Sequence, residues 1–163
     1  MAKDKRHDDA EKKIKQLGEK LGYAAFTEVK LLNARYSPVV DAVWFNPVYK
    51  KLYGEQAKPN NVQETLCPVE VAFEVEKVYQ LWNNIQSCIK RIQATGANLG
   101  VIVIPIKERI KEPKEKSKDT KGTKGKWGIS TDRDIENVRE WVSHREQTPR
   151  IIVLTLDEIE NLL

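Results

Sequence analysis

Residues 69–82 read VEVAFEVEKVYQLW. In the first eight, Val69, Val71, Phe73 and Val75 alternate with Glu70, Ala72, Glu74 and Glu76. Strand side chains point to opposite faces in turn, so one face of this segment seeks a core while the other carries three carboxylates. The pattern predicts a strand, and the position of that strand in the chain decides what kind of sheet it enters.

Upstream lie two further strand candidates rich in β-branched and aromatic residues, FTEVKLL at 26–32 and VVDAVWF at 39–45. Only six residues separate them, which suits antiparallel neighbours. The 23 residues from Asn46 to Pro68 are too many for a hairpin turn and read as an excursion. Before the strands, residues 9–22 place Ala10, Ile14, Leu17 and Leu21 on one helical stripe, with Gly22 available to end it.

Downstream, Leu81, Trp82, Ile85, Ile89 and Ile92 fall on one side of a helix over 79–94, followed by Gly96. VIVIP at 101–105 and IIVLTL at 151–156 are short continuous apolar runs, as expected of strands covered on both faces. Between them, Thr131 and Asp134 fit the start of a helix carrying Ile135, Val138, Trp141 and Val142. Thr155 and Glu158 fit a cap on a short terminal helix. The expected architecture is α/β, a mixed sheet flanked by helices in the order α-β-β-β-α-β-α-β-α. A single domain is expected over residues 1–163, with a basic, mobile insert at 107–128. Within that insert, residues 107–126 hold nine Lys or Arg against four acids.

Hydrophobic residues make up 40% of the chain and charged ones 32%, a balance that argues against both a disordered chain and a membrane protein. There is no apolar run of the roughly 18 residues a bilayer span needs, and the first ten residues lack the apolar centre of a secretory signal, so the expected compartment is the cytoplasm. Cys67 and Cys88 are far apart in sequence and read as reduced thiols. His7 and His144 stand alone, which argues against histidine-centred catalysis. A net charge of +4 is compatible with a polyanionic partner.

Asp41 sits inside PVVDAVWF, among residues that are otherwise apolar on both sides. A lone carboxylate there is costly unless it is paired, bound to a metal or placed at a strand end. If the second and third strands are neighbours, Asp41 approaches Glu74 and Glu76. Clustered carboxylates repel one another unless a cation satisfies them, and oxygen donors of this kind favour Mg²⁺ or Mn²⁺.

With an acid on its second strand, the tripeptide Glu74-Val75-Glu76 on its third and a helix before and after, the chain resembles the PD-(D/E)XK nuclease superfamily, to which many restriction endonucleases belong. Ser37-Pro38-Val39-Val40-Asp41 stands as a loosened form of the first element, and the similarity spans roughly residues 9–105. Glu76 occupies the slot usually filled by lysine, as in a minority of restriction endonucleases of that superfamily. Lys77 points to the other strand face, Lys90 lies nearly opposite the apolar helical stripe, and Glu28-Val29-Lys30 has no acidic strand before it, so none of them supplies the missing cation.

The resemblance implies a restriction-endonuclease-like core and Mg²⁺- or Mn²⁺-dependent hydrolysis of DNA, with Asp41, Glu74 and Glu76 as metal ligands and catalytic residues. It also implies a homodimer, with the basic insert and Trp127 helping to clamp DNA. Junction-resolving and repair nucleases share the core, and a non-catalytic DNA-binding or assembly subunit keeps the fold without the chemistry. Considered alone, Glu70, Glu74 and Glu76 read as a solvated strand face, and it is Asp41 that shifts the balance. GTKGK at 122–126 lacks the spacing of a phosphate loop. Trp44, Trp82 and Trp141 read as core residues, and Asn83 and Asn84 as exposed helix positions.

Overall fold

The computed structural model describes residues 5–76, 81–105 and 132–163. A helix, α1 (Lys5–Lys20), leads into β1 (Ala24–Lys30) and β2 (Val39–Phe45). After a short helix α2 (Val48–Tyr53) come β3 (Val69–Val75), α3 (Leu81–Ala94), β4 (Leu99–Ile104), α4 (Asp132–Ser143), β5 (Arg150–Thr155) and α5 (Leu156–Glu160). The five strands form one sheet in the order β1-β2-β3-β4-β5. Its first three strands are an antiparallel meander, and β4 and β5 run parallel to β3. The fold is therefore α/β, with a mixed open sheet flanked by helices.

Two cores lie on opposite faces of this sheet. Ala10, Ile14 and Leu17 of α1 and Leu156 and Ile159 of α5 cover Ala42, Trp44, Val71, Phe73, Val75, Val101 and Val103. On the other face, Ile85, Cys88, Ile89 and Ile92 of α3 and Ile135, Val138 and Val142 of α4 cover Val43, Phe45, Ala72, Ile102, Ile104 and Val153. Because helices close both faces, β4 has no wet side, which is why its sequence is a continuous apolar run.

Close approach of helix to sheet depends on two glycines. A Cβ at Gly18 would stand 2.5 Å from Trp44 Nε1, and one at Gly100 would stand 2.6 Å from Ile92 Cγ2. The excursion is anchored by Tyr49 of α2, which is buried, stacks on Phe45 with ring centroids 4.8 Å apart and donates its hydroxyl to Ala57 O at 2.8 Å. Val48 N–H bonds Asn46 Oδ1 at 3.0 Å, an Asx turn that starts α2 directly after β2. α5 opens with a capping box between Thr155 and Glu158, as the sequence predicts.

Three sequence expectations are adjusted. α1 already includes Lys5, the first described residue, and stops at Lys20, so Leu21 is 59% exposed and does not extend the apolar stripe. The glutamate face of β3 is covered by α3, so it is not a solvated face: Glu74 is buried, and Glu70 and Glu76 are half-buried. Asn84 is bonded to Glu76 and is not a free helix position. The basic insert at 107–128 with Trp127, Lys77, the capping residue Thr131 and the side chains of Trp82, Asn83 and Asp134 lie outside the described residues. Among the described residues no helix is long and apolar enough to cross a membrane.

Candidate active site

β2 and β3 stop pairing where the acids begin. Their ladder runs from Phe45 to the pair Ala42–Phe73. Beyond that pair, the Val75 N–H donates to Asp41 Oδ2 at 2.7 Å, so the carboxylate takes a bond that a backbone carbonyl would otherwise accept. On the other side of β2, the register places Glu28 opposite Asp41, between the pairs Thr27–Ala42 and Val29–Val40. Glu28 has φ of 53°, in the left-handed region that non-glycine residues rarely enter. Face alternation breaks at this point. Val29 joins the core that also holds Ala24, and Val40 joins the core of Val43 and Phe45.

Asp41 then meets α1. His7 Nε2 lies 3.5 Å from Asp41 Oδ2, while His7 Nδ1 lies 3.2 Å from Glu11 Oε1, one helical turn along. Held between two carboxylates, the imidazole is raised from its ordinary value to about 10, first by Asp41 and then by Glu11, against the opposing pull of burial.

Glu74 points to the α3 side and is only 1% exposed. Arg91 of α3 donates to it twice, from Nε at 2.8 Å and from a terminal nitrogen at 2.6 Å, and both bonds land on Oε2. Glu74 Oε1 is buried and has no hydrogen-bond partner among the described residues. The carboxyl is raised to about 7 in all: burial raises it most, Arg91 pulls it down, and the charges of Asp41 and Glu76 push it up. Glu76 is oriented from the same helix, accepting from Asn84 Nδ2 at 2.9 Å and from the Cys88 thiol at 3.4 Å. Burial, with Glu74 and Glu76 alongside, pushes that thiol well above its ordinary range, so Cys88 is a proton donor here and not a nucleophile.

The fold thus brings Asp41, Glu74 and Glu76 to the same end of two adjacent strands but gives each its own internal partners. Among the described residues, the three ligand-type side chains whose donor atoms all lie within 4.8 Å of one another are His7, Asp8 and Glu11, and Asp41, Glu74 and Glu76 do not form such a group. Glu70 stands apart, bonded to Asn46 and Asn98 at the opposite end of β3. Sequence reasoning missed His7, Glu11, Asn84, Cys88 and Arg91. A signal for them exists: His7 and Glu11 are one turn apart, and Asn84, Cys88 and Arg91 follow the i, i+4, i+7 spacing of a single helical face.

Whether these residues suit a divalent ion is tested by Glu74 Oε1. An unpartnered carboxylate oxygen in the interior is costly, and a cation is the partner that best offsets the cost. The charges that act on Glu74 are the carboxylates of Asp41 and Glu76, oxygen donors of a kind that divalent metals accept, and the Arg91 guanidinium. No protein-family model matches the chain, and neither a curated protein nor a solved structure matches it.

Proposed function

We propose that the chain is a divalent-metal-dependent DNA endonuclease with a restriction-endonuclease-like core of the PD-(D/E)XK type. The observation that carries this reading is the buried Glu74 carboxylate, with one oxygen unpartnered among the described residues, beside Asp41 where β2 and β3 part. Acids gathered against their own repulsion at a break in a sheet belong to chemistry more readily than to packing.

In this reading Asp41 and Glu74 hold the ion, Mg²⁺ or Mn²⁺. When bound, such an ion supplies Lewis-acid activation of water and neutralises charge on a phosphodiester. Glu76, oriented by Asn84 and Cys88, accepts the proton of the attacking water on its carboxylate. Arg91 fixes Glu74 through Oε2 and leaves Oε1 for the ion. The lysine-rich stretch at 107–126 offers charge for the DNA backbone, and a two-fold dimer would cut both strands.

A second reading, a DNA-binding or assembly subunit without catalysis, is favoured by one observation. Arg91 already supplies Glu74 with a positive partner. Supercoiled plasmid incubated with Mg²⁺ or Mn²⁺, and with chelator, separates the two. Metal-dependent nicking or linearisation that disappears in Glu74→Ala, with DNA binding retained, supports the nuclease. DNA binding with no cutting in either metal supports the subunit. Cutting confined to branched DNA assigns the same chemistry to a junction-resolving or repair enzyme.

A further inference from the structure

We infer that the turn between β1 and β2 selects the substrate: Tyr36 stacks on a DNA base that has no pairing partner and Arg35 holds a phosphate beside it, so bulged, branched or single-stranded DNA is bound in preference to intact duplex. The inference deepens the nuclease reading and rests on it for DNA as the ligand. β1 and β2 meet the turn at the pair Lys30–Val39, two residues before Asp41. β3 runs antiparallel to β2 and ends at Val75, whose N–H reaches Asp41. Residues 31–38 therefore project past the end of the sheet that carries Asp41, Glu74 and Glu76. Tyr36 is five positions from Asp41. Even fully extended, that chain spans at most about 18 Å, the length of about five nucleotides of one strand.

The turn is braced from within and from the excursion. Leu31 N–H donates to Pro38 O at 2.9 Å, Ser37 N–H to Ala34 O at 3.3 Å and Leu32 N–H to Ser37 Oγ at 2.7 Å. Asn33 Nδ2 donates to Glu64 Oε1 at 2.7 Å. On this frame Tyr36 is 85% exposed, and the Arg35 guanidinium carbon stands 5.3 Å from the centre of its ring. A cation over one face of the ring leaves the other face for a ligand. Because the backbone is already ordered, binding there loses little further chain entropy.

Charge and shape indicate which ligand. Residues 29–38 hold Lys30 and Arg35 and no acid. Glu64, the carboxylate bonded to the turn, gives one oxygen to Asn33 and the other to Asn61. A phosphate strand meets positive charge here, and each of its bases has a π face that a tyrosine ring can match. A base inside a duplex is already stacked on its neighbours and must first be pulled out, whereas an unpaired base offers its face at least cost.

The test is equilibrium binding of the full chain, with chelator present so that nothing is cut, to three DNAs of one sequence: the paired duplex, the duplex with one bulged iodouracil, and the single strand carrying that base. Expected are binding of the bulge and the single strand at least about tenfold tighter than of the duplex, and a photo-crosslink from the iodouracil that mass spectrometry maps to Tyr36. Tyr36→Ala should weaken binding of the bulge about 5- to 100-fold and change the duplex by less than about twofold, whereas Tyr36→Phe, which keeps the ring, should bind as wild type does. Arg35→Gln should lower the slope of log affinity against log salt on the single strand by about 0.7, the share of one phosphate. Equal affinity for duplex and bulge, a crosslink that maps elsewhere, or bulge binding unchanged in Tyr36→Ala overturns the inference, and an unchanged slope in Arg35→Gln strikes the phosphate contact from it. The ranking of the three DNAs by the unaltered protein decides even if a variant fails to fold. Metal-dependent cutting with no preference for the unpaired base sinks this inference and spares the nuclease; stacking at Tyr36 without metal-dependent cutting does the reverse; absence of DNA binding removes both.

Discussion

Glu74 should weaken the fold at neutral pH, and Glu74→Gln should reveal by how much. The carboxyl is 1% exposed and its proton affinity is raised from the ordinary 4.5 to about 7, chiefly by burial. Between those two values the unfolded chain releases a proton that the folded chain keeps, so stability falls as pH rises from about 4.5 and levels off above about 7. Each unit of difference is worth about 1.4 kcal/mol, so the total cost at pH 8 is roughly 3 kcal/mol. Glutamine preserves the shape and still offers Arg91 an amide oxygen, but it carries no charge to desolvate.

The assay is urea unfolding of the two proteins with chelator present, at pH 5 and pH 8. At pH 5 Glu74 is protonated in the folded state, and the midpoints should nearly coincide. At pH 8 Glu74→Gln should be the more stable protein, by about 1–3 kcal/mol. His7 also titrates upward of its ordinary value, but it does so in both proteins and largely cancels in the difference. Wild type matching or exceeding the variant at pH 8 by the same margin as at pH 5 would refute the claim that this carboxylate is held against its solvation. If an ion binds as proposed, millimolar Mn²⁺ should raise wild-type stability at pH 8 and leave Glu74→Gln much less affected.

Removal of the partner should act in the opposite direction. Arg91→Met leaves a carboxylate with 1% exposure and no guanidinium, whereas Arg91 itself is 33% exposed, so the variant should lose about 3–5 kcal/mol at pH 8 and less at pH 5, by the same unfolding assay. Gly18→Ala, which in an open helix would gain up to about 1 kcal/mol, should instead cost about 1–3 kcal/mol by forcing a methyl against Trp44 and Ala25, read as a fall in Tm. Thr155→Ala removes half of the α5 capping box and should cost about 1 kcal/mol. Glu158 is held below its ordinary value because the Thr155 N–H and Arg139 outweigh its burial. Its contribution is therefore present above the ordinary glutamate range and lost as pH falls through the folded value, so wild type and Glu158→Gln should differ at pH 7 and converge under acid.

The strands and long helices are legible because their signals are local. Val69, Val71, Phe73 and Val75 alternate, Ile85, Ile89 and Ile92 repeat at helical spacing, and Leu99–Ile104 shows no alternation because both of its faces are covered. α2 is hidden by its length: six residues behind Pro47 carry no period, and its reason to form is one ring, Tyr49, finding Phe26 and Phe45. The break in alternation at Glu28 and Asp41 is also unreadable. A left-handed residue other than glycine leaves no mark on the sequence, and strict period-two counting puts Asp41 on the side of Val43 and Phe45 instead of against α1.

The acids themselves could be picked out because a carboxylate inside an apolar run is conspicuous, whereas their partners are conspicuous only in space. Arg91 looks like any solvated helix cation until the register of β3 brings Glu74 beneath it, and His7 looks isolated because its partner Asp41 is 34 positions away. This asymmetry has a physical origin. Burying charge is so costly that its sequence trace survives any fold, while the groups that make the burial tolerable are ordinary surface residues until the chain closes on them. His7 and Arg91 approach the acids from opposite faces of the sheet, α1 on one and α3 on the other. The acids of β2 and β3 can therefore meet partners from both helical layers because the β2–β3 ladder ends just past Ala42–Phe73, where Asp41 and not a backbone carbonyl accepts from Val75.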